Sequence, residues 1–134
     1  MPLLVENLDR SKDWLKQAEF DFSTTKTLID DEKYSWVCFI AHQAAEKALK
    51  ALLEKKNLPS WGHDLVDLLE RIKQTITVPQ IIVEACSRLN LYYIATRYPD
   101  SFPSGAPADK FTEQQAISAI EDAEEVLTFV KSSL

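Results

Sequence analysis

One stretch of the sequence, residues 36–57, constrains the fold more than any other. At 3.6 residues per turn it predicts a helix of about six turns. Alanine is the strongest helix former, and its small side chain lets neighbouring helices approach closely. The alanines of this stretch are Ala41, Ala44, Ala45, Ala48 and Ala51. We therefore expect a central helix with other helices packed against more than one of its sides.

Four further segments carry apolar residues at three- and four-residue steps, which is the spacing of a helix with one buried face. They are residues 10–31, 64–75, 79–96 and 113–132. Their candidate N-terminal caps are Asp9 or Ser11, His63 or Asp64, and Thr112 with Gln115 in a capping box. The β-branched run at residues 75–78 has no second strand segment to pair with, so we interpret it as a connector. The predicted fold is all-α: an up-and-down four-helix bundle with one additional short helix, forming a single domain over residues 1–134.

The bulk properties favour a cytoplasmic protein. A net charge of −6 argues against coating of duplex DNA or of a membrane surface. No apolar run approaches the roughly 20 residues of a membrane span. Residues 1–8, which we expect to form a loose arm, lack the basic start of a signal peptide. Cys38 and Cys86 fall within helical patterns and are expected to be reduced core thiols.

The last predicted helix carries an acidic face opposite its apolar one. Its acidic residues are Glu113, Glu121, Asp122, Glu124 and Glu125, with no cation before Lys131. We interpret this face as solvated, and expect it to repel nucleic acid.

The sequence offers little for a metal or a cofactor. Two glycines cannot build a phosphate-cradling loop. Cys38, His42 and Glu46 share a helix face at four-residue steps, but they lack the fourth ligand that a zinc site usually needs. We therefore expect no metal and no cofactor.

The segment of residues 97–111 interrupts the helical pattern. It holds three of the six prolines and one of the two glycines, and long ordered loops are often functional. Arg97 opens this loop and has tyrosines close by in the sequence: Tyr92, Tyr93 and Tyr98. Two interpretations remain open. Either Arg97 caps the carbonyls of its own helix or pairs with Asp100, or its guanidinium binds phosphate while tyrosine faces bind a base.

Four stretches together resemble a HEPN domain, the small helical domain named for nucleotide binding in higher eukaryotes and prokaryotes. They are Trp14-x-x-x-Ala18-x-x-Asp21; Phe39-x-x-His42-Gln43-Ala44-Ala45-Glu46-Lys47-Ala48-x-Lys50-Ala51-Leu52; Gly62-His63-Asp64-Leu65 leading into Leu68-Leu69; and Thr96-Arg97-Tyr98-Pro99-Asp100. They occur in the family's order and span nearly the whole chain.

The resemblance implies a helical bundle that dimerises about a two-fold axis, with a cleft between the protomers. It also implies two possible roles. Many relatives are metal-independent ribonucleases, often toxins, that use an Arg-x4–6-His motif at the end of the fourth main helix. Others are stand-alone bacterial and archaeal proteins, encoded beside a minimal nucleotidyltransferase, that bind a nucleotide or a partner.

This sequence departs from the ribonuclease motif after Arg97. Phe102, Pro103 and Ser104 occupy the positions where the histidine is needed. The two histidines of the chain, His42 and His63, both lie upstream. Without that imidazole the sequence offers no obvious general acid or base near pH 7, unless one of the upstream histidines approaches the cleft in space.

From these residues we predict a non-catalytic HEPN module, a homodimer that binds a nucleotide or a nucleotide-bearing partner such as a minimal nucleotidyltransferase. The candidate binding residues are Arg97 for phosphate, Tyr98 for the base or sugar, Asp21 and Asp100 to orient Arg97, and also His42 and Lys47. Two alternatives remain. One is a metal-independent endoribonuclease toxin of a toxin–antitoxin pair, with RNA as substrate. The other is an interaction bundle that docks a partner helix and has no ligand.

Overall fold

Helices dominate residues 9–134, the part of the chain that the computed structural model describes, and no strand occurs there. The helices are α1 Ser11–Asp30, α2 Tyr34–Lys55, α3 Leu65–Ile72, α4 Gln80–Asn90, α5 Tyr92–Ala95 and α6 Glu113–Ser133. Two short 3-10 turns, Pro99–Ser101 and Pro107–Asp109, lie in the loop before α6. The all-α prediction is confirmed: α1, α2, α4 and α6 form the bundle and α3 is the additional short helix. The predicted loose arm lies outside the described residues.

The central position of α2 is also confirmed. This helix packs against α1, α3, α4, α5 and α6. Fourteen of its 22 residues are buried, and all five of its alanines are fully buried. The alanines let the neighbouring helices come close, while Leu49, Leu52 and Leu53 fill the core beside the apolar residues of α3. Cys38 and Cys86 are buried free thiols, and burial raises the pKa of each to about 12.

The helix ends follow local chemistry. The N-cap residue of α1 is Arg10, so the prediction of Asp9 or Ser11 was wrong, although Asp9 accepts a hydrogen bond from the Ser11 amide at 2.8 Å. Asp64 caps α3 as predicted and accepts from two amides in its first turn. The capping box of Thr112 and Gln115 is present. After α2, Asn57 adopts a φ of 58°, which takes the chain out of the helix.

The fourth predicted helix is divided, and the prediction of one helix over 79–96 was wrong at this point. α4 ends at Asn90 and α5 begins at Tyr92. The side chain of Asn90 accepts a hydrogen bond from the Leu65 amide and donates one to Asp64. These contacts tie the end of α4 to the start of α3, and the chain resumes as α5 with Tyr93 in contact with α2.

The interpretation of Asp122 as part of a solvated acidic face was also wrong. Asp122 is only 8% exposed, and both of its carboxylate oxygens accept hydrogen bonds from Arg88 of α4, at 2.8 and 2.9 Å. The other acidic residues of that face are exposed. Asp122 differs because Arg88 lies opposite it on the neighbouring helix and supplies a bidentate partner.

Candidate functional site

Arg97 lies just after α5, among aromatic rings. Its Nε donates to the main-chain carbonyl of Tyr93 at 2.8 Å, and Nη2 donates to the same oxygen. Its Cζ lies 4.4 Å from the ring centroid of Phe39, 4.7 Å from that of Tyr93 and 5.0 Å from that of Tyr98. Ring faces attract a cation, so three rings support one guanidinium. The structure thus shows Arg97 capping its own helix, which is the first of the two interpretations of the sequence, while phosphate binding by its remaining N–H groups stays a prediction.

Tyr93 connects Arg97 to a histidine from a distant part of the chain. The ring of His63 stacks on that of Tyr93, with centroids 4.7 Å apart and an interplanar angle of 15°. The Arg97 guanidinium lies the same distance from the Tyr93 centroid. Arg97 Cζ and the ring centroid of His63 are therefore no more than about 9.4 Å apart, which is twice 4.7 Å.

The imidazole of His63 contacts a buried carboxylate. Its Nδ1 lies 3.0 Å from Oε1 of Glu46, whose side chain is only 4% exposed. The second oxygen of Glu46 lies 3.3 Å from Nζ of Lys50. A buried carboxylate is costly unless it is paired and hydrogen-bonded, and these two contacts meet both conditions.

The loop that carries His63 is fixed from two helices. Arg71 of α3 donates to the carbonyls of Pro59 and Trp61, and its guanidinium stacks on the Trp61 ring. From α2, Nε2 of the fully buried His42 lies 3.1 Å from the His63 carbonyl. Burial lowers the pKa of His42, so its ring is neutral and Nε2–H donates to that carbonyl.

A pocket of about 390 Å³ opens beside this cluster. It is lined by His63, Asp64, Asn90, Leu91, Tyr93 and Ile94. The His63 side chain is 54% exposed, so its ring meets solvent while one of its nitrogens contacts Glu46. The pocket therefore combines an imidazole, an aromatic ring and polar side-chain groups.

The structure gathers only part of the predicted site. Arg97, Tyr98 and His42 all contact rings of the same aromatic group, although His42 is buried and holds the loop instead of facing solvent. Asp21 does not orient Arg97, because its carboxylate binds Lys47 at 2.6 Å across the α1–α2 interface. Among the described residues Arg97 also forms no ion pair with Asp100.

Sequence reasoning did not assign Glu46, Tyr93 or His63 to the site. Each occurred in a stretch that was singled out, but the contact between Glu46 and His63 joins residues 17 positions apart. No group of three or more metal-binding side chains occurs in residues 9–134. None of the described helices is long and apolar enough to span a membrane.

The fold and the site together describe an all-α bundle in which an arginine just after α5 lies among three aromatic rings. The chain matches the family profile described as HEPN domain over residues 11–133. It therefore belongs to the HEPN domain family, as the four stretches predicted.

Solved structures and a sequence relative agree with this assignment. The crystal structure of TT1696 from Thermus thermophilus has a TM-score of 0.91 and 39% identity, and the match covers 95% of this chain and 100% of that one. The structure of ST0689, an archaeal HEPN homologue, has a TM-score of 0.79 and 33% identity over 93% of this chain and 98% of that one. A Methanocaldococcus jannaschii protein named "Putative toxin MJ1304" is 24% identical over 96% of this chain and 90% of its own length.

Proposed function

We propose that this chain is a nucleotide-binding HEPN module that works as a homodimer with a minimal nucleotidyltransferase. The observation that carries the proposal is the Arg97 guanidinium, held among three aromatic rings next to the pocket beside Tyr93. Arginine has five N–H donors, and two of them bond the Tyr93 carbonyl. The other three can donate to the phosphate oxygens of a nucleotide.

The aromatic rings give the base of that nucleotide a place to stack. Tyr98 is half-exposed and adjoins Arg97, so part of its ring is accessible to a ligand. Stacking on an aromatic side chain is worth about 1–3 kcal/mol per base and tolerates different bases. Phosphate on Arg97 and a base on Tyr98 is therefore the arrangement that we propose.

Exposed apolar side chains on the same side of the molecule support the homodimer. Trp36, Leu91, Ile94 and Tyr98 are each 47% exposed or more. They lie around the Arg97 group, since Trp36 contacts Phe39 and the other three lie on α5 or on the segments next to it. Clustered apolar surface marks interaction sites, and a two-fold contact here would place two Arg97 groups in one cleft.

The nucleotidyltransferase is proposed on different grounds. A relative that carries the name toxin suggests a protein that is kept in check by a second component. The family resemblance makes a minimal nucleotidyltransferase our candidate for that component. Co-expression of the two chains followed by size-exclusion chromatography tests this part, because a complex should elute as one species.

Calorimetric titration of ATP into the pure protein tests the binding site. We expect micromolar binding by wild type and a loss of at least about ten-fold in affinity in Arg97→Ala. Lys16→Ala is the matched control, because it removes the same charge from an exposed position on α1. Equal binding by Arg97→Ala and wild type would refute the site, and no heat with wild type would favour an interaction bundle that docks a protein partner.

The second candidate function is a metal-independent endoribonuclease toxin. Two observations favour it. The first is the name of the Methanocaldococcus jannaschii relative, "Putative toxin MJ1304". The second is that the His63 ring centroid and Arg97 Cζ each lie 4.7 Å from the Tyr93 centroid, so they are no more than about 9.4 Å (twice 4.7 Å) apart. Growth arrest on overexpression that disappears in Arg97→Ala would support it. Intact RNA after incubation with concentrated pure protein would refute it.

A further inference from the structure

We propose that the groove between α1 and α6 is an interface between two copies of this chain, which pack face to face about a two-fold axis along the groove. The groove has a volume of about 550 Å³, and its apolar lining residues are Phe22, Ile29 and Ile120. It does not include Arg97, which follows α5, a helix that contacts α2 and α4. The proposed interface is therefore separate from the Arg97 group.

Apolar side chains extend this surface beyond the groove on both helices. Ile117 of α6 is 37% exposed and precedes Ile120 by three positions, so the two share one side of the helix. Phe20 of α1 is 63% exposed and stands in the same relation to Ser23, which lines the groove. Clustered apolar surface of this kind marks an interaction site.

The two walls of the groove carry opposite charges at the same level. Nζ of Lys131 lies 2.9 Å from Oε2 of Glu19, so the end of α6 lies beside the first half of α1 and the two helices are antiparallel. Lys26 comes seven positions after Glu19, and Glu124 comes seven positions before Lys131, which is about two turns in each case. Lys26 and Glu124 therefore stand level on opposite walls. Both are exposed, and neither forms an ion pair with another residue of 9–134.

This charge pattern is complementary to itself, and that identifies a second copy as the occupant. A two-fold axis along the groove places α1 of each copy opposite α6 of the other. Lys26 then meets Glu124 of the second copy, and because each contact of a two-fold interface occurs twice, two intermolecular ion pairs form. A partner with a single sign of charge on its contact surface would instead leave Lys26 or Glu124 opposite a like charge.

The apolar and the charged residues make different contributions to this interface. Removal of apolar surface from water, including that of Phe20 and Ile117, supplies most of the affinity. Ion pairs at the exposed rim add little affinity, but they fix the orientation because like charges placed opposite each other are strongly disfavoured. Removal of the Lys26 charge should therefore weaken association slightly, whereas reversal of that charge should weaken it strongly.

The test starts from a chain in which the other proposed interface is disrupted. Leu91→Asp/Ile94→Asp places charges beside the Arg97 group at side chains that are 73% and 55% exposed, so no core contact is lost. Sedimentation velocity over a range of concentrations measures the self-association of this background chain. We expect dimers, and a chain that stays monomeric at every concentration would refute the interface.

Charge reversal in the background chain then tests the arrangement. Lys26→Glu and Glu124→Lys should each weaken self-association by at least about ten-fold, because each change brings two pairs of like charges together. When the two variants are mixed in equal amounts, every contact again joins opposite charges. The mixture should therefore associate within about three-fold of the background chain, and so should the double variant Lys26→Glu/Glu124→Lys.

Three further variants serve as controls, again in the background chain. Lys73→Glu reverses an exposed charge after α3, a helix that packs on α2 and α4, and should leave association unchanged. Lys26→Ala should weaken association by no more than about three-fold. Ile117→Asp puts a charge on the apolar surface and should weaken association by at least about ten-fold, with the helical content unchanged in circular dichroism.

Each remaining outcome has one meaning. If the mixture of the two reversed variants associates no better than either variant alone, Lys26 and Glu124 act within one chain and the proposed arrangement is refuted. If Lys26→Glu associates as the background chain does, the dimer uses another surface and the inference also fails. None of these outcomes bears on nucleotide binding at Arg97, which the titration of ATP tests separately.

Discussion

The side chain of Arg97 donates two hydrogen bonds to the main-chain carbonyl of Tyr93, while the ring of Tyr93 stacks on His63. One tyrosine thus joins the end of α5 to the loop between α2 and α3. Because the two polar groups share this neighbour, a change that displaces either of them should be detectable at the other.

Arg97→Lys should impair both the cap and the site. Lysine keeps the charge, but its ammonium cannot reproduce the planar group that bonds the Tyr93 carbonyl while lying against the rings of Phe39 and Tyr98. We expect the free energy of unfolding to fall by about 1 kcal/mol and ATP affinity to fall about ten-fold. Urea denaturation and calorimetry measure these two effects. Wild-type affinity in Arg97→Lys would mean that charge alone is needed.

Gly62→Ala should disturb the site through the main chain. Gly62 precedes His63 and has a φ of +108°, which a residue with a Cβ adopts only under strain. The added Cβ would meet Arg71 at an ordinary 3.7 Å, so the cost comes from the backbone. We expect unfolding in urea to become easier by about 1–3 kcal/mol. We also expect weaker ATP binding in calorimetry, because a shift of this loop displaces His63 from the wall of the pocket.

Gly105→Ala is the matched control for that change. Gly105 also has a positive φ, +80°, and its added Cβ would lie 3.0 Å from the flexible end of Lys110. We expect a similar loss of stability, measured by urea denaturation, with ligand binding unchanged. Equal effects of the two substitutions on binding would contradict a specific role for the His63 loop.

The sequence predicted the features that local composition decides. The helix over the alanines of α2 and the capping box of Thr112 and Gln115 each follow from neighbouring residues. The absence of a strand at residues 75–78 follows from the lack of a second strand segment in the sequence. What it could not predict depends on contacts between distant positions. The interruption between α4 and α5 involves Asn90 bonding to Asp64, 26 positions away.

The candidate site shows the same division. Arg97 was identified from its place beside prolines and tyrosines, which is local information. The pairing of Glu46 with His63 depends on how helices pack, which a 3.6-residue period does not specify. The bond from Arg97 to the Tyr93 carbonyl, four positions earlier, is instead the local cap that one interpretation of the sequence held. Asp21 was assigned to Arg97, but α1 lies beside α2, where Lys47 is its partner.

His42 should make the protein less stable at acidic pH. Burial lowers its pKa in the folded state, whereas in the unfolded chain a histidine takes up a proton near pH 6.5. Below about pH 6.5 the unfolded state therefore binds more protons, and stability falls as the pH drops towards the folded-state pKa. Above about pH 6.5 the contribution of the neutral ring is fully present.

Urea denaturation of His42→Gln in a His63→Asn background isolates this effect, because His42 is then the one remaining histidine. We expect the substitution to cost more stability at about pH 7.5 than at about pH 5. An equal cost at both values would show that burial does not keep His42 neutral.

Arg88→Ala should destabilise the contact between α4 and α6. It leaves the Asp122 carboxylate, whose side chain is 11% exposed, without its bidentate partner. An unsatisfied buried group costs about 1–3 kcal/mol, and because the Arg88 side chain is 54% exposed we expect the lower half of that range.

Glu121→Ala removes an exposed carboxylate next to Asp122 and should change stability by no more than about 0.5 kcal/mol. In the double variant Arg88→Ala/Asp122→Ala the loss of stability should be smaller than the sum of the losses in Arg88→Ala and Asp122→Ala. Urea denaturation of wild type, the two single variants and the double variant measures this difference. Additive losses would mean that the two side chains contribute independently, in spite of their two hydrogen bonds.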